Sequence, residues 1–180
     1  PQATVLGRRE KVDVWSASLL NGLSSHVFDF DDTLLETVLH PSAPVFPAIL
    51  AFAEHGRFGG KAVLAAFVIG CEVAARVARM LYPSHYDRGW HITGTAGAIG
   101  AAAAVGKLLQ LDEVRMGYAI GLAATQPTGL REMFGTMTKP FHPGMAAANG
   151  LFSALLAREG FTSSLRALEA KRGYGMVLSE

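Results

Sequence analysis

The sequence predicts an all-α fold, and three observations carry that prediction. Apolar residues recur at helical spacing from one end of the chain to the other, whereas short β-branched runs alternating with polar residues are scarce. Gly, Pro, His and Arg occur together in RFGGK, LYPSHYDRGWHITG and QPTGLREMFGTMTKP, which read as the connections between helices. Hydrophobic residues make up 50% against 17% charged, a balance that excludes disorder and demands burial in a core or against partners.

A first helix is expected where Asp13 can cap a segment carrying Trp15, Leu19, Leu20, Leu23 and Val27. A second covers Pro44 to about His55 and stops at Gly56. The long third starts at Gly60 or Lys61 and reaches about Tyr82, where Pro83 ends it. TGTAGAIGAAAAVGKLLQ forms a fourth, joined through the turn QLD to a fifth that Asp112 opens and that closes before Pro127. A sixth begins near Pro140 and runs to Arg158 ahead of Gly160, and a shorter seventh starts at the Ser163-Ser164 pair. Helices four to six are dense in Gly and Ala, which lowers helix propensity but lets axes approach closely. At 180 residues, residues 1–180 are expected to form a single all-helical domain.

Composition also excludes functions. Lys+Arg 16 against Asp+Glu 15 leaves a net charge of +1 with no basic stripe, so the footprint of nucleic-acid binding is missing. The single cysteine, Cys71, reads as a buried thiol and leaves no cluster for zinc or an iron–sulfur centre. Apolar runs end at Glu72 and Lys107, short of the roughly 20 residues a bilayer span needs. With no signal-peptide pattern at PQATVLGRRE, the expectation is a cytoplasmic protein without membrane contact, and a chain excised from a longer one.

The chemistry concentrates in HVFDFDDTLLETVLHPSAP, residues 26–44. A calcium loop fails, because Leu34 and His40 stand where an EF-hand needs glycine and glutamate. FDFDDTLL resembles the first motif of haloacid-dehalogenase magnesium phosphatases, with Asp29 as nucleophile and Asp31 as acid/base, but that motif needs a strand before it and LLNGLSSH reads helical. A third reading places the cluster at a helix end, with Asp29 and Thr33 four apart on one face and Asp32 and Thr33 available as caps.

Five ordered motifs, NG near 21, HVFDFDDT, HPSAPVFPAILAFAE, GWHITGTAGAIGAAAAVGKLLQL and GTMTKPFHPGMAAANG, resemble the MmgE/PrpD family across essentially the whole chain. That family contains 2-methylcitrate dehydratases, cis-aconitate decarboxylases and an iminodisuccinate epimerase. The resemblance implies the central part of a helical first domain, a smaller α+β second domain absent from this chain, a homodimer, and a small polycarboxylate substrate. It implies neither a metal nor a cofactor, and it places Asp29, Thr33, His40, His91 and Lys139 at the site.

Physical chemistry suits those residues to the implied proton abstraction next to a carboxylate. Imidazole, with an unperturbed pKa of about 6.5, exchanges protons near neutrality, so His40 and His91 are the acid/base candidates. Lys139, just before Pro140, is a candidate to bind carboxylate together with the free N–H groups of Phe141 and His142 at a helix start. His142 and Arg88 are further substrate-binding candidates, and Asp29 with Thr33 would orient a histidine or bond the substrate. His26, His55 and His85 read as structural or exposed. The remaining alternative is a catalytically silent helical interaction module, which would scatter His40, His91 and Lys139.

Overall fold

A computed structural model describes residues 2–179. A two-stranded antiparallel hairpin, β1 (Ala3–Thr4) and β2 (Lys11–Val12), precedes the helices α1 (Val14–Ser25), α2 (Ser42–Gly56), α3 (Gly60–Leu81), α4 (Ser84–Asp87), α5 (Ile92–Leu108), α6 (Glu113–Ala124), α7 (Thr138–Arg158) and α8 (Tyr174–Ser179). The class is all-α, as the periodicity requires. Among the described residues no helix is long and apolar enough to cross a membrane.

Local chemistry sets most of the boundaries. The Asp13 carboxylate accepts the Ser16 N–H at 2.9 Å and opens α1, and Asp112 accepts the Arg115 N–H at 2.8 Å and opens α6. At the start of α2 the carboxylate of Asp32, ten residues away, accepts the Ser42 N–H at 3.3 Å. That bond lets the helix begin two residues before the expected Pro44. Likewise α7 begins at Thr138 rather than near Pro140, because Thr136 accepts the Thr138 N–H with its hydroxyl and the Lys139 N–H with its carbonyl. Phe141 and His142 therefore lie inside the helical ladder, and their N–H groups are not the free donors expected of a helix start.

Helix α5 is the axis of the packing. All of its residues except Lys107 are buried, and α2, α3, α6 and α7 surround it. Its Ala and Gly surface admits those neighbours at short range. Helix α7 also crosses α1, at a point where no side chain separates them: a Cβ added to Gly22 would stand 2.8 Å from Gly144 Cα, and one on Gly144 would stand 2.6 Å from the Leu19 carbonyl oxygen.

Three expectations fail. No helix starts at Ser163-Ser164; the chain turns through residues 165–172 and forms α8 later, where Tyr174 and Leu178, four apart and buried, anchor one helical face. Leu165, by contrast, is 58% exposed, so a helix there would have little to bury. Val27 falls outside α1, which stops at Ser25. Asp29 and Thr33 share no helical face, because residues 27–33 are turn and extended chain and Asp29 has a φ of 55°. No strand leads into Asp29 either; the chain reaches it from α1 through a turn in which its N–H donates to the His26 carbonyl. That geometry removes the phosphatase reading.

The α1–α7 crossing yields a prediction. Gly144→Ala gains up to about 1 kcal/mol of helix propensity but forces the helices apart, which costs about 1–3 kcal/mol when packing cannot relax. The expected outcome is a lower unfolding midpoint for the complete protein, read by thermal denaturation, together with weakened occupancy of whatever the site beside this crossing binds.

Candidate functional site

The crossing brings the end of α1, the loop after it and the start of α7 to one place. His26, just beyond α1, has a fully buried side chain, and its Nδ1 lies 2.9 Å from both oxygens of Asp31. A carboxylate only accepts, so this nitrogen carries the proton. His26 Nε2 has no hydrogen-bond partner and points toward Asp29 Oδ1, 3.8 Å away. The same oxygen lies 3.7 Å from His40 Nε2. His40 Nδ1 stands 3.3 Å from the Thr33 hydroxyl and 3.5 Å from Asp31 Oδ2. Its backbone N–H donates to Thr93 Oγ1 at 3.1 Å, which ties this loop to α5.

Lys139, at the start of α7, completes the group with an ammonium 2.6 Å from Asp29 Oδ2. One helical turn on, His142 Nδ1 meets His91 Nδ1 at 3.0 Å. One of these nitrogens must donate and the other accept, so the two rings share a proton. His91 reaches this position because its N–H donates to the Gly129 carbonyl while Trp90 bridges Leu130 in antiparallel fashion. Gly129 has a φ of +110°, and an added Cβ would lie 2.8 Å from the His142 ring. A side chain there would be strained and would displace the pair. The His26 and His91 rings stack at 5.8 Å, so the four imidazoles form one continuous cluster.

His40, His91 and Lys139, distant in sequence, therefore meet, and Asp29, Thr33 and His142 join them. Arg88 does not: it is exposed and lines a neighbouring hollow with Gly89, Leu130 and Arg131. His26 and Asp31 belong to the cluster although the residue pattern marked His26 as structural or exposed. The other two histidines in that group behave as expected, His55 being exposed and His85 being buried between the Leu178 carbonyl and the Thr95 hydroxyl. A cavity of about 490 Å³ opens beside the cluster, lined by His26, Asp29, Lys139, Pro140 and the apolar Phe28 and Met137.

Electrostatics divides the cluster into charged and neutral parts. The Lys139 hydrogen bond, against some desolvation, holds the Asp29 carboxyl below its usual range. Burial pushes His40 down, with Asp31 opposing it, and pushes His142 down as well. His91 falls to about 2, mainly by desolvation and then by its proximity to His142. Cys71 is half-buried and desolvation lifts its thiol to about 12, which leaves it inert.

Ligand atoms of His26, Asp29, Asp31 and His40 lie within 4.8 Å of one another, a spacing that could suggest a metal site. Both carboxylates are already engaged, however: the Lys139 ammonium holds Asp29 at 2.6 Å, and the His26 Nδ1–H faces both oxygens of Asp31 at 2.9 Å.

An all-helical domain that gathers imidazoles, carboxylates and a lysine beside one hollow is the class that fold and site define. The chain belongs to the MmgE/PrpD family, whose N-terminal domain profile matches residues 1–180. It is 35% identical over 181 residues to the cis-aconitate decarboxylase of Aspergillus terreus, covering 97% of this chain and 36% of that protein. Identity to the cis-aconitate decarboxylase of Homo sapiens is 32% over 164 residues, with 88% and 34% covered, and to that of Mus musculus 31% over 179 residues, with 96% and 36% covered. The chain thus spans about a third of the length of these relatives.

The depressed His91 pKa has a consequence for stability. Below about pH 6.5 the unfolded chain takes up a proton at this imidazole that the folded chain refuses, so stability falls as pH drops from there toward 2. The slope for one such group is on the order of 1.4 kcal/mol per pH unit. His91→Gln in the complete protein is expected to show a shallower loss of stability between about pH 6.5 and pH 4, measured as unfolding midpoints at a series of pH values.

Proposed function

We propose that the protein containing this domain is a metal-independent lyase of small polycarboxylates, a decarboxylase or dehydratase that works by proton transfer next to a carboxylate. The observation that supports this most is the gathering of His40, His91 and Lys139 in one side-chain cluster beside a cavity that Lys139 lines, in a chain similar over almost its full length to cis-aconitate decarboxylases. Epimerisation belongs to the same chemistry and is the finer alternative, since it needs the same abstraction followed by protonation from the other face.

On this reading Lys139 receives a substrate carboxylate in place of Asp29. The ammonium is nearly buried, so a carboxylate that reaches it is poorly screened and strongly held. When the bond from carbon to carboxylate or hydrogen breaks, the electron pair moves toward the remaining carboxylate, and Lys139 stabilises the charge that develops there. A neutral imidazole, His40 or His91, takes up or delivers the proton at carbon. Burial keeps both neutral near pH 7, His91 far more strongly, so His40 is the better suited of the two to accept a proton. In a decarboxylation the C–C bond breaks, carbon dioxide departs, and a proton that His40 takes up from water ends on carbon. In a dehydration an imidazole takes the proton beside the carboxylate and a protonated group hands a proton to the leaving hydroxide.

The homodimer is part of the proposal, and the exposed Leu64 and Val68 on α3 support it as surface suited to a partner.

Incubating the complete protein with cis-aconitate and a panel of citrate-like and aspartate-derived acids in deuterated water tests the proposal. Net release of carbon dioxide or water with deuterium on carbon is expected, and exchange without net product would identify an epimerase instead. Lys139→Ala and His91→Ala are each expected to lower kcat/KM by about 10²–10⁴-fold with the fold retained, and chelator is expected to leave turnover unchanged. Near-normal turnover in both variants would remove the assignment.

A further inference from the structure

His26 and Asp31 are members of the cluster to which neither the family resemblance nor the proposed chemistry gives a role. Their geometry is the most constrained in the site. Both Asp31 oxygens lie 2.9 Å from His26 Nδ1, which fixes the ring orientation and leaves the lone pair on Nε2. That Nε2 is sealed from solvent, lacks a partner, and stands 3.8 Å from Asp29 Oδ1. A buried, unpartnered nitrogen facing a carboxylate oxygen is a costly arrangement unless a proton comes to lie between them.

The charges support the same conclusion. With Asp29 and Asp31 ionised and Lys139 protonated, the group carries one net negative charge, and a single added proton neutralises it. The imidazoles around His26 are less suited to that proton: burial pushes His40, His91 and His142 down, and carboxylates oppose the shift only at His40, where they stand 3.5 and 3.7 Å away. His26 alone among the four has a carboxylate in direct hydrogen-bond contact with its Nδ1 and a second one facing its Nε2.

We propose that Asp31 and His26 form a buried carboxylate–imidazole dyad that stores the site's exchangeable proton behind Asp29, with Asp31 as a positioning residue and His26 as a relay. The step balances simply: a proton that His40 takes from the substrate passes by way of Asp29 Oδ1, 3.7 Å from His40 Nε2 and 3.8 Å from His26 Nε2, to His26, which becomes an imidazolium between two carboxylates and returns it along the same path. No oxidant, metal or second substrate is involved. The relay role rests on the lyase or epimerase reading above, whereas the tautomer and protonation of His26 do not.

The test has two arms on the complete protein. Neutron diffraction from deuterium-exchanged crystals reads the hydrogens directly: deuterium on His26 Nδ1 is expected at every pH, with Nε2 also occupied in crystals at low pH before His91 or His142 gains a second proton. Deuterium on Nε2 with a bare Nδ1, or earlier protonation of His91 or His142, would overturn the proposal whatever the enzyme's substrate. In the kinetic arm, Asp31→Asn is expected to lower kcat on the best acid of the panel by about tenfold or more with KM within about twofold. The imidazole limb of its pH–kcat profile should move to lower pH, because the carboxylate that favours the imidazolium is gone. Asp31→Glu should restore part of the loss. An unshifted profile in Asp31→Asn would overturn the relay even if kcat fell. Loss of turnover in Lys139→Ala with no effect of Asp31→Asn would leave the lyase reading standing and sink the relay alone.

Discussion

The contact between Gly22 and Gly144 is the constraint on which the site depends. Two helices can approach this closely when neither carries a Cβ at the crossing, and here the crossing lies within a turn or so of both the end of α1 and the residues of α7 that reach the cavity. The consequence is positional. His26 leaves α1 four residues after Gly22, and Lys139 and His142 precede Gly144 by five and two, so the imidazole and the ammonium converge from the two crossing helices. Pro143, between His142 and the crossing, lacks an N–H and so frees the Lys139 carbonyl from the helical ladder. Helix α5 closes the arrangement from below, holding His91 at its first turn and the His40 backbone through Thr93.

Within that frame the electrostatic problem is to keep several imidazoles in one place without mutual repulsion. The molecule solves it by leaving His91 and His142 neutral around one shared proton, and by confining formal charge to Asp29, Asp31 and Lys139. The exposure of the pair is uneven: Asp29 presents 52% of its side chain while Lys139 presents 15%. Asp29 is therefore the partner that already reaches water, whereas Lys139 alone would be left with a poorly solvated charge. An incoming acid, on the proposed reading, takes the place of the exposed partner on the ammonium and keeps the buried one. The structure as it stands resembles a site occupied by its own carboxylate.

How much of this was legible in the sequence depends on what kind of signal each feature leaves. Asp13 and Asp112 were readable because a cap acts on the N–H three residues away, and the apolar spacing of α3, α5 and α6 was readable because it repeats. The hairpin of Ala3–Thr4 with Lys11–Val12 was not, since two-residue strands have no period to detect. Nor was the absence of a helix at Ser163-Ser164, where local propensity was overruled by the anchoring of Tyr174 and Leu178 further on. His40, His91 and Lys139 stood out through the family motifs, but their meeting point is tertiary. His26 was missed for a simple reason: a lone histidine at a helix end looks the same in sequence as His55, which the structure leaves in solvent. The signal that separates them is Asp31, five residues on, and it has meaning only once the chain between turns back.

That turn is where the backbone itself is informative. Among the described residues, four other than glycine have positive φ: Asp29, Val38, Arg57 and Gln110. Arg57 caps α2 and Gln110 follows α5, the ordinary setting for a left-handed residue. Asp29 and Val38 terminate no helix. They bracket the loop that presents Asp31 and His40, and for β-branched Val38 the conformation is a real outlier. Such residues persist when their surroundings over-determine them. Here the Lys139 ion pair holds one end, and the Leu34–Leu39 bridge and the Thr93 bond hold the other. The same fold in Asp29 that aims its carboxylate at two imidazoles turns Phe28 and Phe30 outward, 89% and 96% exposed. A chain selected for stability alone would do neither. Strain on the polar side and exposed apolar surface on the other argue together that this loop is shaped by what the site binds and not by the helices it joins.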